Sequence, residues 1–195
     1  GSYNSITQTV VASIRNGSTV TTTSGSVSLT ATDSSRIWTD AGGVAVALAL
    51  RTGGGAGGAG SIGVANAKNT MRNTVAATIS GSSVTAAGSI SLRATSQDTG
   101  SNYRIDALAF GVAVAGAGSA GTGLTGSFAG AGSVAENSID NTVTAAITGT
   151  SAARTITAGG SVILAAADTS KIRADAGGYA LAISGTGSGG TGTGA

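Results

Sequence analysis

The feature that most constrains this chain is that it repeats itself three times. The string N-S-I-T-Q-T-V begins at Asn4, N-T-M-R-N-T-V at Asn69 and N-S-I-D-N-T-V at Asn137, shifts of 65 and 68 residues. An Ile follows each closing Val by four positions, at Ile14, Ile79 and Ile147. Further anchors follow in the same order. They are an apolar-x-Leu triplet (Val27-Ser28-Leu29, Ile90-Ser91-Leu92, Val162-Ile163-Leu164), then a cation before Ile (Arg36-Ile37, Arg104-Ile105, Lys171-Ile172). The last is A-G-G-V-A-V at 41–46, A-F-G-V-A-V at 109–114 and A-G-G-Y-A-L at 176–181. A long internal period is the signature of stacked supersecondary units, so the fold must be one in which a copy packs on its neighbour.

The anchors alternate with period two. Ile90, Leu92 and Ala94 fall on one face of a strand, and Ser91, Arg93 and Thr95 on the other. Segments 74–79 and 104–115 read the same way and are rich in strand-forming Val and Ile. Ile37, Ile105 and Ile172 are expected to point inward, and their followers Trp38, Asp106 and Arg173 outward. No stretch reads as a long amphipathic helix, because Gly interrupts every run. The expected fold is therefore all-β, a parallel β-solenoid wound right-handedly as parallel crossovers are. A 67-residue unit is long for one coil. It is read as about three coils of ~22 residues, eight or nine rungs in all and roughly 40 Å tall. The rival reading is a sandwich or trimeric fibre of the same strands.

The expected organisation is one continuous array. Residues 1–2 read as an expression scar, 3–65 as the first repeat, 66–135 as the second, 136–184 as a truncated third, and 185–195 as a Gly-rich flexible tail. The Gly-rich stretches 53–60 and 116–126 are expected as close-packed sheet rather than wide loop. The second copy expands between Asp98 and Arg104, which places the insertion in a surface turn.

Composition narrows function more than it defines it. Ala, Gly, Thr and Ser supply 125 of 195 residues; Ala and Gly suit a thin core, Thr and Ser the outer faces. There is no Cys, His or Pro. No disulfide, thiolate or histidine-based nucleophile system can be built, and a zinc site would need carboxylates alone. No catalytic, cofactor-binding or metal-binding residue is assigned. The net charge of +2 comes from scattered cations without stacking aromatics, which argues against nucleic-acid binding. The longest apolar run, 107–117, is too short to span a bilayer as a helix, so no membrane insertion is expected.

With the N-x-x-x-N-T-V, apolar-x-Leu and A-G-G-V-A-V motifs in view, residues 3–184 resemble the β-helical repeat regions of giant bacterial surface exoproteins. The group is that of filamentous-haemagglutinin-like and autotransporter passenger adhesins. The resemblance implies a secreted or cell-surface stalk or adhesin whose partners are a cell-surface, matrix or glycan ligand and the neighbouring repeats of the same chain. A carbohydrate-binding or carbohydrate-cleaving β-helix, and a fibre segment that self-associates end to end through its cut edges, are the alternatives.

Several residues invite a functional reading and receive a structural one. Asn4, Asn69 and Asn137, with Gln8, Asn73 and Asn141, are taken as turn residues whose amides bond backbone or one another. Because equivalent residues would lie about three rungs apart, they are not expected to stack directly. Asp33 with Arg36 and Asp168 with Lys171 are taken as surface ion pairs across a turn. Asp40 and Asp175 recur with the repeat while Asp106 sits two residues earlier, a scaffold pattern rather than an active site. Thr19, Thr21 and Thr23 alternate once, but Ser83-Val84-Thr85-Ala86-Ala87 does not sustain the rank. Trp38, present in one copy, is taken as incidental packing.

Overall fold

The computed structural model describes residues 1–53, 55–98, 100, 103–149, 154–187 and 191–195. Every regular element among them is a β-strand, and every strand pair is parallel. The first passage of the chain forms β1 (Ser2–Ile6), β2 (Thr9–Ile14), β3 (Thr19–Thr22), β4 (Val27–Asp33) and β5 (Ile37–Arg51). The second forms β6 (Gly57–Met71), β7 (Thr74–Ser80), β8 (Ser83–Ala86), β9 (Ile90–Ser96) and β10 (Ile105–Ser119). The third forms β11 (Leu124–Ile139), β12 (Thr142–Thr148), β13 (Ile156–Ala158), β14 (Val162–Asp168) and β15 (Ile172–Thr186), and β16 (Thr191–Gly194) follows. Five parallel sheets result, ordered β1-β6-β11-β16, β15-β10-β5, β12-β7-β2, β13-β8-β3 and β14-β9-β4. The arrangement is consistent with a β-solenoid.

The pairing corrects the expected coil count. Asn4 is the register partner of Asn69, and Asn69 of Asn137. Ile14 pairs with Ile79 and Ile79 with Ile147; Leu29, Leu92 and Leu164 form one ladder. Each repeat therefore lies directly on its counterpart, and the chain passes any given point once per repeat rather than three times. The stack is three strands deep in four of its sheets and four in the fifth, about 10–14 Å from first to last at ~4.8 Å per strand, not eight or nine rungs tall. Period-two alternation reports which face a side chain takes, and it is silent on how far away in sequence the partner strand lies.

One circuit has two parts. Sheets β2/β7/β12, β3/β8/β13 and β4/β9/β14 enclose a core of Val27, Leu29, Val75, Ile79, Val84, Ile90 and Leu92. Each fully buried Val, Ile or Leu contributes roughly 1.5–3 kcal/mol. A left-handed glycine turns the same corner in each copy, at Gly17, Gly81 and Gly149, and the amide of Gly81 donates to the Thr148 carbonyl at 3.0 Å. Glycine enters that region without a Cβ penalty, and among the described residues Asn16 beside Gly17 is the non-glycine residue that shares it. The expected inward facing of Ile90, Leu92 and Ala94 is found, as is that of Ile37 and Ile105. Ile172 is exposed instead, because it lies in the last rung of its sheet with no strand above it.

The second part is a blade. The chain runs out along β5, turns, and returns along β6; β10 and β11 repeat the excursion. The facing residues are almost all small: Ala41, Ala65, Ala67, Ala107 and Ala109 in one cluster, and Ala113, Ala115 and Ala129 in another. A methyl group placed on Gly63 would overlap the backbone carbonyl of Val112, and one on Gly43 that of Val64. That is far inside the ~10 Å spacing of ordinary stacked sheets. The blade is two backbones thick with almost nothing between them. Its strands are 15 residues long in β5, β6 and β10, about 50 Å each.

The Gly-rich stretches resolve accordingly. Residues 57–60 and 116–119 are strand, with bends between β5 and β6 and between β10 and β11; Gly54 lies outside the described residues. Residues 185–195, expected as a flexible tail, contain the end of β15 and all of β16, which pairs with Leu124–Ser127. The array thus continues past 184 into the start of the next returning strand. Residues 99, 101 and 102 of the expanded turn, and 188–190, lie outside the described residues.

The close approach sets a prediction. Gly63→Ala should destabilise by about 1–3 kcal/mol in a urea unfolding curve, the cost of overpacking. Gly60→Ala, whose added methyl reaches only van der Waals distance of the Phe128 carbonyl oxygen at 4.0 Å, should stay within about 0.5 kcal/mol.

Candidate functional site: a polar seam and an apolar blade

Where the triangular core meets the blade, the chain buries polar groups together. Arg104 is fully buried. Its guanidinium donates to the Asp33 carboxylate at 2.6 Å, to the Asp33 carbonyl at 3.0 Å and to the Gln97 carbonyl at 2.8 Å. Asn73 donates from Nδ2 to the same carboxylate and to the Ser35 hydroxyl, both at 2.7 Å. The expected pairing of Asp33 with Arg36 across the turn is thus replaced by a pairing between copies. Arg36 is exposed and donates from Nε to the Tyr103 carbonyl at 3.2 Å. Asp168 accepts from the Ser170 amide and from Asn141 at 2.8 and 3.1 Å, and makes no ion pair with Lys171.

Burial pushes the Asp33 carboxyl up, but bonds from Ser35, Arg104 and Asn73 outweigh it and lower its pKa from 3.8 to about 2. Asp168 is lowered as well: burial opposes, and Ser170, Asn141 and the Arg104 charge prevail. Asp33 is therefore ionised at neutral pH with its oxygens committed to structural partners, which leaves it no proton to give as a general acid.

The asparagines form the second component and correct a further expectation, since they do stack. Asn4 Nδ2 donates to Asn69 Oδ1 at 2.9 Å, and Asn69 Nδ2 to Asn137 Oδ1 at 2.9 Å. Thr39 closes the ladder by donating to Asn69 Oδ1 at 2.7 Å. A parallel set lies one turn on, where Asn73 Oδ1 accepts from the backbone N–H of Gln8 at 2.9 Å and Asn141 Oδ1 from the backbone N–H of Asn73 at 3.0 Å. The amides bond backbone and one another as expected, but only Gln8, Asn73 and Asn141 sit in turns; Asn4, Asn69 and Asn137 lie within strands β1, β6 and β11, where parallel in-register pairing stacks them.

Outside the seam, the blade reverses the expected assignment of outer faces to Thr and Ser. Ala and Gly are indeed inside, but the outward positions of β5 are Val44, Val46, Leu48 and Leu50, all exposed. On the opposite layer Ile62, Val64, Phe128 and Val134 are exposed too. Charges collect at the foot of the blade: Lys68 with Glu136 at 2.8 Å, Arg173 with Asp175 at 2.7 Å, and the unpaired outward Asp40 and Asp106. Trp38 is 78% exposed and lies beside Asp106 in register, so it is not packed away. Asp40 is in register with Leu108 and Leu108 with Asp175, which separates the two recurring carboxylates. No cluster of three or more potential metal ligands occurs among the described residues.

A groove of about 490 Å³ runs past Tyr3, Asn4, Arg36 and Trp38. It follows the free edges of β1 and β5, and the equivalent space one rung on is filled by chain. It is the end of a stack rather than a built pocket.

No known family model, curated protein or solved structure matches the chain. Sequence reasoning passed over two features. Arg104 looked like one of three turn cations, and the only signal for its different role was the expanded segment preceding it. The outward Val and Leu rank was visible as alternation, but nothing in it says that both neighbouring layers are occupied by methyl groups and backbone.

Removing Arg104 leaves a buried carboxylate without its counter-ion, so Arg104→Ala should cost about 3–5 kcal/mol. Adding Asp33→Asn to that variant should recover part of the loss, which a double-mutant cycle by urea unfolding would measure. Because the folded pKa of Asp33 is depressed, its contribution is present above pH ~4 and fades as pH falls toward ~2, amounting to roughly 2 kcal/mol. Asp33→Asn should flatten the stability profile in that acid window.

Proposed function

We propose that the chain is a right-handed parallel β-solenoid segment of a large secreted or cell-surface bacterial repeat protein, serving as a stiff, non-catalytic contact module. The observation that supports this best is the unbroken in-register pairing of three copies, each laid on the last. A chain built this way gains rigidity from continuous backbone ladders, and its stability is close to additive along the array. Its features recur with the repeat, leaving outward side chains as the variable element.

The geometry shifts the weight within that role from length to breadth. A repeat of 65–68 residues that adds a single ~4.8 Å layer is a poor device for gaining height. It is a good one for presenting a wide lateral surface at a fixed orientation. Contact, more than spacing, is what this cross-section provides.

Two measurements test the proposal. Duplicating residues 69–136 in place should lengthen the particle along its stacking axis by about 4.8 Å in small-angle scattering, against ~14 Å for three coils per repeat. Antibodies raised against the chain should label intact cells that make the parent protein. Labelling that requires permeabilised cells would overturn the surface location.

A further inference from the structure

The outer face of the β5/β10/β15 sheet has no partner in the chain. Val44, Val46, Leu48 and Leu50 are 71–77% exposed in one rung, and Phe110 and Ile183 continue the patch in the next two. The face is also flat. A β-carbon on Gly116 would meet Leu48 Cδ1 at 3.0 Å, one on Gly118 would meet Leu50 Cδ2 at 3.2 Å, and one on Gly177 would meet the Phe110 ring at 3.2 Å. Large side chains in one rung thus lie down over glycines in the next. Monomeric soluble proteins rarely expose a contiguous apolar patch beyond a few hundred Å².

We infer that this face is an interface for a second copy of the same chain, packed sheet to sheet about a two-fold axis parallel to the stacking direction. Two observations choose that occupant and that axis. The sheet is 15 residues long and three strands wide, about 50 by 14 Å or ~700 Å², against ~800 Å² per partner in an interface of standard size. Its charges are confined to one end: Asp40, Asp106 and the Arg173–Asp175 pair lie at the foot of the blade, and the outward row at the tip, Leu50, Gly118 and Gly185, carries none. A two-fold along the stack reverses the strand direction, sets the uncharged tip of each copy toward the foot of the other and keeps the two acidic feet apart. It also keeps both stacks running the same way, so the contact repeats in every rung. A lipid bilayer fits less well, because the free backbone groups along the outer edge of β5 would enter hydrocarbon unpaired.

Sedimentation equilibrium of the 195-residue chain at about 1–100 μM should show a monomer–dimer equilibrium. Val46→Lys, which places an unpaired charge at the centre of the patch, should raise the dissociation constant at least ~100-fold while leaving the β-sheet circular dichroism unchanged. Val64→Lys, on the opposite layer, should leave it unaltered. A species that stays monomeric at about 100 μM would overturn the interface, as would a dimer lost on Val64→Lys but not on Val46→Lys, or flotation of a monomer with phosphatidylcholine vesicles. A chain that is monomeric yet labels on intact cells removes this interface and leaves the surface reading in place.

Discussion

Parallel in-register pairing of a chain with its own repeat imposes one rule on every position: each residue must tolerate its counterpart ~4.8 Å away. Much of the composition follows. Small and apolar residues satisfy the rule by stacking like on like, as the Ile14–Ile79–Ile147 and Leu29–Leu92–Leu164 ladders do. Asn satisfies it because an amide both donates and accepts, so Asn4, Asn69 and Asn137 bond in series. Charges fail it, since like charges directly opposite destabilise a sheet. Only 18 residues are charged, and none sits beside a like charge among the paired described strands. Trp38, Asp106 and Arg173 share one ladder; Lys68 faces Glu136; Ser96 stands between Asp33 and Asp168. Proline would remove a ladder donor in every sheet, and there is none.

The same rule explains why one arginine could be buried. In the middle rung Arg104 has a neighbour on each side, and it reaches down to Asp33 of the first copy. Arg36 has no rung beneath it and Lys171 none above, so both stay in water. Three positions that are equivalent in sequence therefore hold three different environments. A buried ion pair adds little stability over an apolar replacement of the same shape, but it punishes any register in which the partners separate. Slipping the second copy by one residue would put a guanidinium against apolar wall, so the pair acts as a pin for the ladder it crosses.

Much of the fold could be read from the residues, and the reason is the period-two pattern. Which side chains of Ile90, Leu92 and Ala94 face inward is a local property of a strand, and it was readable. The number of strands per circuit is not local. Two long strands such as β5 and β6 consume 30 residues while turning the chain through a single hairpin-shaped excursion, which no alternation reveals. The candidate surface divides the same way. Alternating Val and Ala over 44–47 shows that one face is larger than the other. Whether the larger residues point into a core or into water depends on whether the smaller ones can meet another sheet. Gly43, Gly63 and Gly111 decide that by letting two backbones touch, and they are scattered over three separate strands.

The blade then carries a consequence of its own thinness. A sheet ordinarily hides its larger side chains and wets its smaller polar ones. Here the methyl-lined face gives almost complete exclusion of water with very little apolar area, because backbone meets backbone. The apolar area of Val44, Val46, Leu48 and Leu50 stays outside, unspent. At roughly 25 cal/mol per Å² it is a larger reserve of burial energy than the Ala–Ala contacts beneath it. An architecture that keeps its greater hydrophobic surface on the outside leaves that surface open to burial by a partner, and the charges gathered at its foot leave the rest of the face free of them.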